Sequence, residues 1–590
     1  MKKRLLVILP VLLALLFSGC ASGGAGEDPQ RVRSLYGENQ RVSGEYDPAL
    51  AADCNNGTFL GKEKNAVVSY KGIPYAEAPV GNLRWKAPVL AKDGDGIYEA
   101  YYYGKSPIQT EWPSELGSYY PQGEDCLTLN VWTSPKVSGD KTVMVFFHGG
   151  SYGWGAVSDP LYDGQNFVAA HPDVVLVTVE YRTGILGFMD FSEVEGGDAY
   201  RESGNLGMLD MACALRWIHN NIAAFGGDPD QVTIFGESAG GGAVSLLPLM
   251  KEADGLFQRV IAESGSVALT YSREECLRLT QMLLKESGAK TMEELVALPE
   301  ETLVKLNESL NDYNNFPERD GVVLPEDLYA AYADGKAAHV DMLIGTNADE
   351  ARYWIEEMGY TVPGVPGKLT YSLAVPVMYG SNTKNFSDAD KANVKAFMAL
   401  QTDRRIWNLT EFYNEILFRV PALYQTEANA GNGGKSYVYY WNYPSAIPDL
   451  GACHAVELAY VFNNLDETIY TGNNVDASLA AEVQQMWINF AKTGDPSTED
   501  NNWPSYNEDT RTCMVLDQKI HTENDLLGEQ RNYIEPLLSY HLNGCYTNLD
   551  YAVPAVYLYV AVVLLVLALL IAVCVWIGKA RKKKRKQAPR

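Results

Sequence analysis

The sequence is poor in positive charge. Its 590 residues include 48 Lys and Arg against 74 Asp and Glu, and residues 1–19 and 551–590 hold 11 of the basic residues but no acidic one. The region between these ends therefore has a formal net charge of −37. Such an acidic surface repels nucleic acid and acidic polymers, so the composition excludes a nucleic-acid partner and favours neutral or cationic small molecules. The alternative is an acidic exterior that only keeps the protein soluble and does not steer a substrate.

The sequence also lacks motifs that bind metals or cofactors. Its nine Cys form no CxxC or Cys/His cluster with zinc spacing, and there is no EF-hand loop or phosphate-binding glycine motif. We therefore expect no metal and no cofactor. Apart from Cys20 and Cys574 there are seven Cys, so at least one thiol is unpaired. Cys213 lies in an apolar, helix-like run and is expected to be a buried free thiol.

The N-terminus has the pattern of an export signal. Three basic residues, an apolar run over residues 5–17 and Ser-Gly before Cys20 predict a signal peptide over residues 1–19. A Cys in this position resembles the lipobox of bacterial lipoproteins, which makes Cys20 a candidate lipidation site. The alternative is an ordinary cleaved signal with an incidental Cys. Residues 20–45, which begin with a Gly-rich stretch, are predicted to be a flexible tether.

The C-terminus contains a long uncharged segment. Residues 552–577 carry no charged side chain and are numerous enough to cross a hydrocarbon core of about 30 Å, so they predict a transmembrane helix. The basic residues of the tail, 578–590, place that tail in the cytoplasm by the positive-inside rule. The body is then extracellular, and the protein is expected in the cell membrane, held by this helix and by a lipid on Cys20.

Residues 46–548 predict one α/β domain, because no repeat, low-complexity tract or long linker interrupts them. Continuous apolar runs at 143–147, 174–179 and 232–235 indicate buried parallel strands, and residues 206–222 form an amphipathic, helix-like stretch between two of them. This alternation predicts a mostly parallel, doubly wound sheet with helices on both faces. The helix-rich regions 274–310 and 388–430 are expected to form insertions over a pocket.

A serine between a strand and a helix is the strongest chemical signal. Strand 232–235 runs into residues 236–240, Gly-Glu-Ser-Ala-Gly, and then into a helical start. G-x-S-x-G in this context predicts the nucleophile elbow of an α/β-hydrolase, with Ser238 exposed on a sharp turn. The N–H of Ala239 would help to hold the oxyanion, and the small residues of loop 148–152, after strand 143–147, would supply further amides.

The order of residues in this fold limits the choice of base and acid. The partners follow the Ser in the order acid, then His, and four His lie after Ser238. We select His454, which opens an apolar segment, because His339 precedes any later acid and the other two lie in polar, peripheral stretches: His521 and His541. The acid is Glu350 or its neighbour Asp349, beyond a strand-like run, and spacing alone does not separate them.

Nine segments of the body carry a resemblance to a known family, and they are YKGIPYAEAPVGNLRW, GEDCLTLNVW, VFFHGGSYGWG, EYRTGILGF, GNLGMLDMACALRWIHNNIAAFGGDP, VTIFGESAGGGAVS, IGTNADEA, CHAVELAYVF and MWINFAKTGDP. Together they resemble the type-B carboxylesterase family, which includes cholinesterases, bacterial carboxylesterases and the non-catalytic neuroligins. The resemblance implies Glu350 as the acid, His454 as the base and Gly150, Ser151 and Ala239 as oxyanion donors. It also implies a disulfide at Cys126, but no Cys is present at 101–108, where the partner is expected.

Residues and resemblance together predict an exported, membrane-anchored serine carboxylesterase that hydrolyses small-molecule carboxylic esters through an acyl-enzyme. The alternative is a neuroligin-like adhesion protein, which combines this fold with a signal peptide, one C-terminal span and a cytoplasmic tail. Non-catalytic relatives typically lose the nucleophile, and the presence of Ser238 with its two partners favours the enzyme. Glu237, beside the nucleophile, would either stabilise a cationic alcohol group or support His454. The sequence does not identify the ester.

Overall fold

The computed structural model describes residues 37–109, 121–310, 315–355, 367–401 and 405–542, together with residues 561, 564–565, 568–573, 575–577 and 579. The predicted signal peptide, Cys20 and nearly all of the basic tail lie outside these residues.

The described chain contains one large sheet and two small ones, built from β1 Ala51–Cys54, β2 Gly57–Leu60, β3 Lys62–Lys64, β4 Val67–Pro74, β5 Ile97–Glu99, β6 Thr128–Thr133, β7 Lys141–Phe147, β8 Val174–Val179, β9 Gly227–Glu237, β10 Arg259–Glu263, β11 Tyr271–Ser272, β12 Glu318–Arg319, β13 Asp341–Asn347, β14 Ser436–Trp441, β15 Thr512–Leu516 and β16 His521–Asn524. The large sheet has eleven strands in the order β16-β15-β14-β13-β10-β9-β7-β8-β6-β4-β3. Its seven strands from β15 to β8 are parallel, and antiparallel strands complete both edges.

The α-helices follow or separate these strands, and their bounds are α1 Gln165–Ala170, α2 Gly184–Gly187, α3 Leu206–Asn221, α4 Ala239–Leu246, α5 Arg273–Ser287, α6 Met292–Val296, α7 Glu300–Ser309, α8 Leu328–Ala333, α9 Gly367–Thr383, α10 Asp388–Leu400, α11 Arg405–Tyr413, α12 Val420–Gly431, α13 Leu458–Val461, α14 Ala477–Thr493 and α15 Gly528–Ile534. A π-helical segment, Asn414–Arg419, joins α11 to α12. Helices α3, α4 and α14 contact the central strands.

The predicted doubly wound α/β sheet is confirmed. Strands β7, β8 and β9 contain the three predicted strand segments and are mutually parallel where they pair. Every residue of β7 and β8 is buried, as their continuous apolar sequence requires when both sheet faces are covered. The predicted helix between β8 and β9 is α3, and the two helix-rich regions of the second half contain α5 to α7 and α10 to α12.

The prediction of a membrane-spanning helix over residues 552–577 is wrong. Within the described part of the chain, no helix is both long and apolar enough to cross a membrane. The predicted fold class is therefore correct for the α/β body but wrong for the additional transmembrane helix.

The described part of the predicted tether is attached to the body. Asn39 Nδ2 donates hydrogen bonds to the carbonyls of Lys71 and Tyr102, both at 3.0 Å. The N–H of Val42 donates to the carbonyl of Ile97 at 2.8 Å. Residues 39–42 thus belong to the folded domain.

The six Cys described in the body are free thiols. Cys213 is free, as predicted, although it is only half-buried, and burial raises the pKa of its thiol to about 12. Cys126 is free and fully buried, so it does not form the disulfide that the family resemblance implies. Cys545 lies outside the described residues.

Candidate active site

The nucleophile elbow lies between β9, which ends at Glu237, and α4, which begins at Ala239. Ser238 has φ 57° and ψ −119°, a backbone conformation that is strained for a residue with a side chain. Two hydrogen bonds hold it there: Ser238 N–H donates to Glu263 O at 2.9 Å, and Gly242 N–H donates to Ser238 O at 2.8 Å. The neighbouring strand β10 and the first turn of α4 therefore fix the turn that presents Ser238.

Two glycines of the elbow have no room for a side chain. A Cβ on Gly236 would lie 2.6 Å from the carbonyl oxygen of Phe147, and one on Gly240 would overlap that same oxygen. Phe147 is the last residue of β7, so the end of the neighbouring strand packs directly against the turn. This close approach explains why the motif needs glycine on both sides of Ser238.

The loop after β7 lies beside the nucleophile and presents free amides. A Cβ on Gly149 would come within 3.0 Å of Ser238 Cβ, so the absence of a side chain there allows the contact. Gly150 and Ser151 both have positive φ, 102° and 52°. Among the described residues, the backbone N–H groups of Gly150, Ser151 and Ala239 donate no hydrogen bond to protein. The structure thus brings the three predicted oxyanion donors to one site with their hydrogens available.

His454 and Glu350 are directly hydrogen-bonded. His454 Nδ1 lies 2.6 Å from Glu350 Oε2, and the main-chain N–H of His454 donates to Glu350 O at 3.4 Å. Both side chains are buried, and the imidazole ring packs among Tyr353, Trp354 and Phe418 at centroid distances of 5.1 to 5.8 Å. A carboxylate on Nδ1 fixes the imidazole orientation and leaves Nε2 as the nitrogen that can accept a proton.

The structure separates the two acid candidates. Asp349 pairs with Arg352 at 2.8 Å and accepts a hydrogen bond from Ala452 N–H at 2.9 Å. Its neighbour Glu350 accepts from the N–H of Asn347 at 2.7 Å and holds His454. The side chains of consecutive residues therefore have different partners, and only Glu350 lies in the triad arrangement.

Glu237 lies beside the imidazole, with its Oε1 3.2 Å from His454 Nε2. Burial alone would lower the pKa of His454, but the carboxylates of Glu237 and Glu350 outweigh burial and raise the pKa to about 9. No hydrogen bond joins Ser238 to His454 in the described chain. This bond is often long in unliganded sites and shortens when substrate binds.

A cleft of about 530 Å³ opens over these groups. The lining residues include Ser238, His454, Gly150 and Ser151, with five aromatic side chains around them: Trp154, Tyr162, Tyr353, Trp354 and Tyr470. Sequence reasoning missed this aromatic wall, because the five residues lie in loops far apart in the chain and carry no periodic pattern.

Among the described residues, no cluster of His, Cys, Asp or Glu could hold a metal ion.

Comparisons with known proteins identify the family of this chain. The sequence model of the carboxylesterase family matches residues 48–534, and the chain belongs to that family, with an α/β-hydrolase fold. It is a carboxylic ester hydrolase.

Several relatives are similar over most of the chain. The para-nitrobenzyl esterase of Bacillus subtilis (strain 168) is 36% identical over 506 residues, covering 81% of this chain and 97% of the relative. Neuroligin-2 of Mus musculus is 30% identical over 551 residues, covering 81% of this chain and 62% of the relative. The crystal structure of the Geobacillus stearothermophilus carboxylesterase EST55 at pH 6.2 has a TM-score of 0.73 at 32% identity, covering 82% of this chain and 99% of that one.

A side chain at Gly149 should disturb the oxyanion loop without unfolding the protein. In Gly149→Ala the new methyl group would lie 2.8 Å from Glu237 Oε2 and 3.0 Å from Ser238 Cβ, so the loop must move away. We expect kcat/KM for a p-nitrophenyl ester to fall by about 100-fold, because a displacement of about 1 Å has that effect on catalysis. In the control Gly153→Ala the methyl group meets nothing closer than 3.9 Å, and activity should be retained. Equal activities of the two variants would contradict this account.

The pH dependence should report the charge around His454. The imidazole must be neutral to accept a proton, so kcat/KM should rise with pH and reach half its maximum near the His454 pKa of about 9. Glu237→Gln removes one of the carboxylates that raise this pKa, so the half-maximal point should move to lower pH. Asp198→Asn, at an exposed carboxylate, is the control and should not move it. An unchanged profile in Glu237→Gln would show that Glu237 does not set the pKa.

Proposed function

We propose that this chain hydrolyses carboxylic esters of small molecules through an acyl-enzyme on Ser238, with His454 as general base and Glu350 as the acid that orients it. The observation that carries the proposal is the buried hydrogen bond between His454 Nδ1 and Glu350 Oε2, at 2.6 Å, in a cleft that also contains Ser238 and the free amides.

Acylation begins at the serine hydroxyl. Ser238 Oγ attacks the carbonyl carbon of the ester while His454 Nε2 takes the hydroxyl proton, and Glu350 stabilises the resulting imidazolium. The carbonyl oxygen becomes an oxyanion, held by the N–H groups of Gly150, Ser151 and Ala239. The tetrahedral intermediate then expels the alcohol, which receives the proton from His454. The product of this step is an ester between the acyl group and Ser238.

Deacylation repeats the same chemistry with water. His454 takes a proton from water, and the resulting hydroxide attacks the acyl carbon. The same three N–H groups bind the oxyanion that forms. Collapse of the second intermediate releases the carboxylic acid and returns the proton to Ser238 Oγ. The protein's own groups suffice for each proton transfer in this scheme.

Replacement of the nucleophile tests the proposal. Full-length protein should release p-nitrophenol from p-nitrophenyl esters of short and medium acyl chains, and Ser238→Ala should lower kcat by about 10⁴-fold or more. The matched control is Ser245→Ala, at a buried serine on α4, which should keep its activity. Hydrolysis that survives in Ser238→Ala would refute the nucleophile. A folded wild-type protein inactive on every acyl length would shift support to the neuroligin-like alternative.

We also propose export directed by residues 1–19, with Cys20 as the lipidated first residue of the mature chain. The support is the order of basic, apolar and small residues before Cys20. Mass spectrometry of the protein purified from its host should find a chain that begins at a diacylglyceryl Cys20, and Cys20→Ser should abolish the lipid mass. A mature chain that starts elsewhere, or retains residues 1–19, would contradict the proposal.

A further inference from the structure

Asn347 connects the two halves of the candidate triad. It is the last residue of β13 and is buried. Its main-chain N–H donates to Glu350 Oε1 at 2.7 Å. Its side-chain Nδ2 donates to Cys453 O at 2.9 Å and to Glu457 Oε2 at 2.6 Å. One residue therefore bonds to the acid and to the main-chain segment that carries the base.

The orientation of the Asn347 amide is fixed by its partners. Cys453 O and Glu457 Oε2 are both acceptors, so the NH₂ group must face them. Turning the amide over would place Oδ1 against a carbonyl oxygen and a carboxylate, which repels. Oδ1 itself has no hydrogen-bond partner among the described residues. The side chain thus acts as a donor only, toward residues on both sides of His454.

The place of these contacts matters for His454. Cys453 immediately precedes the histidine, and Glu457 follows it by three residues, just before α13. The same loops are also joined through Asp349, whose N–H donates to Ala452 O at 2.9 Å. That contact, however, reaches only the residue two positions before the histidine. Asn347 bonds to residues on both sides of His454, and its main-chain N–H also bonds to Glu350, whose carboxylate lies against His454 Nδ1.

We propose that Asn347 is a positioning residue for the Glu350–His454 pair, which rests on the function proposed above. It does not line the cleft, so it acts through the geometry of the pair and not on the substrate. Loss of its two side-chain donors lets the segment around His454 shift relative to Glu350. A shift of this kind slows proton transfer while the binding of the ester is unaffected.

The principal variant is Asn347→Leu, which keeps the approximate volume of the side chain and removes both donors. The main-chain N–H to Glu350 remains. We expect kcat for p-nitrophenyl esters to fall by about 10- to 100-fold. KM should stay within about twofold, because the cleft is intact. Asn347→Ala is the second variant, which avoids the branched side chain if Asn347→Leu does not fold.

Asn429 offers a matched control. It is equally buried, lies on α12 and donates from Nδ2 to Val340 O at 3.3 Å and to Ser436 Oγ at 3.2 Å. Its Oδ1 also has no partner in the described structure. These contacts lie at the amino-terminal ends of β13 and β14, whereas the site lies beyond the carboxyl-terminal end of β13. Asn429→Leu should therefore lower the thermal midpoint much as Asn347→Leu does, with kcat unchanged.

The outcomes separate the roles. A loss of kcat confined to the Asn347 variants supports the proposal. A kcat within twofold of wild type in both Asn347 variants overturns it, as does an equal loss in Asn429→Leu or an effect on KM alone. The proposed function is tested independently: it fails if Ser238→Ala stays active, whereas a fully active Asn347→Leu beside an inactive Ser238→Ala refutes only the role of Asn347.

Discussion

The hydrogen bond between His454 Nδ1 and Glu350 Oε2 joins residues 104 positions apart in the chain, and the candidate site depends on it. The parallel sheet makes this contact possible, because the carboxyl-terminal ends of the parallel strands β9, β10 and β13 lie on the same side of the molecule. Ser238 follows β9, Glu350 follows β13, and the main chain of Ser238 is bonded to the end of β10. Ligands of open α/β sheets bind on this side for the same reason.

Several buried glutamates lie close to this bond. Burial raises the pKa of Glu457 to about 7, and the nearby carboxylate of Glu350 adds to that effect. Burial likewise raises the pKa of Glu263 well above its usual range. Buried carboxylates are costly unless a cation or hydrogen-bond donors face them. His454 provides such a cation, because the carboxylates of Glu237 and Glu350 raise its pKa to about 9 and so favour the imidazolium over the neutral ring.

The sequence predicted the sheet and the strand-turn-helix around Ser238 because each depends on local pattern. The base, His454, was chosen from the order of residues in the chain and from the family resemblance, and its role stays a prediction. The apolar runs of β7 and β8 are buried on both faces, and the glycines around Ser238 are required by contact with Phe147. The choice of Glu350 over Asp349 needed the family resemblance, since spacing cannot show which of two neighbouring side chains faces the histidine. The aromatic wall of the cleft was not predicted, because it arises from loops brought together only by the fold. The membrane span was predicted from hydropathy alone and is wrong.

The two neighbouring acids of the loop after β13, Asp349 and Glu350, make different contacts. Asp349 bonds to Arg352 and to the main chain of Ala452, which sets the distance between the two loops. Gly451 accommodates this contact, because it has φ 61° and a Cβ there would overlap the Asp349 carboxylate. Glu350 also joins the two loops, because its main-chain carbonyl accepts a hydrogen bond from the N–H of His454 at 3.4 Å. In the described chain its carboxylate has no Lys or Arg partner, and its Oε2 lies 2.6 Å from His454 Nδ1.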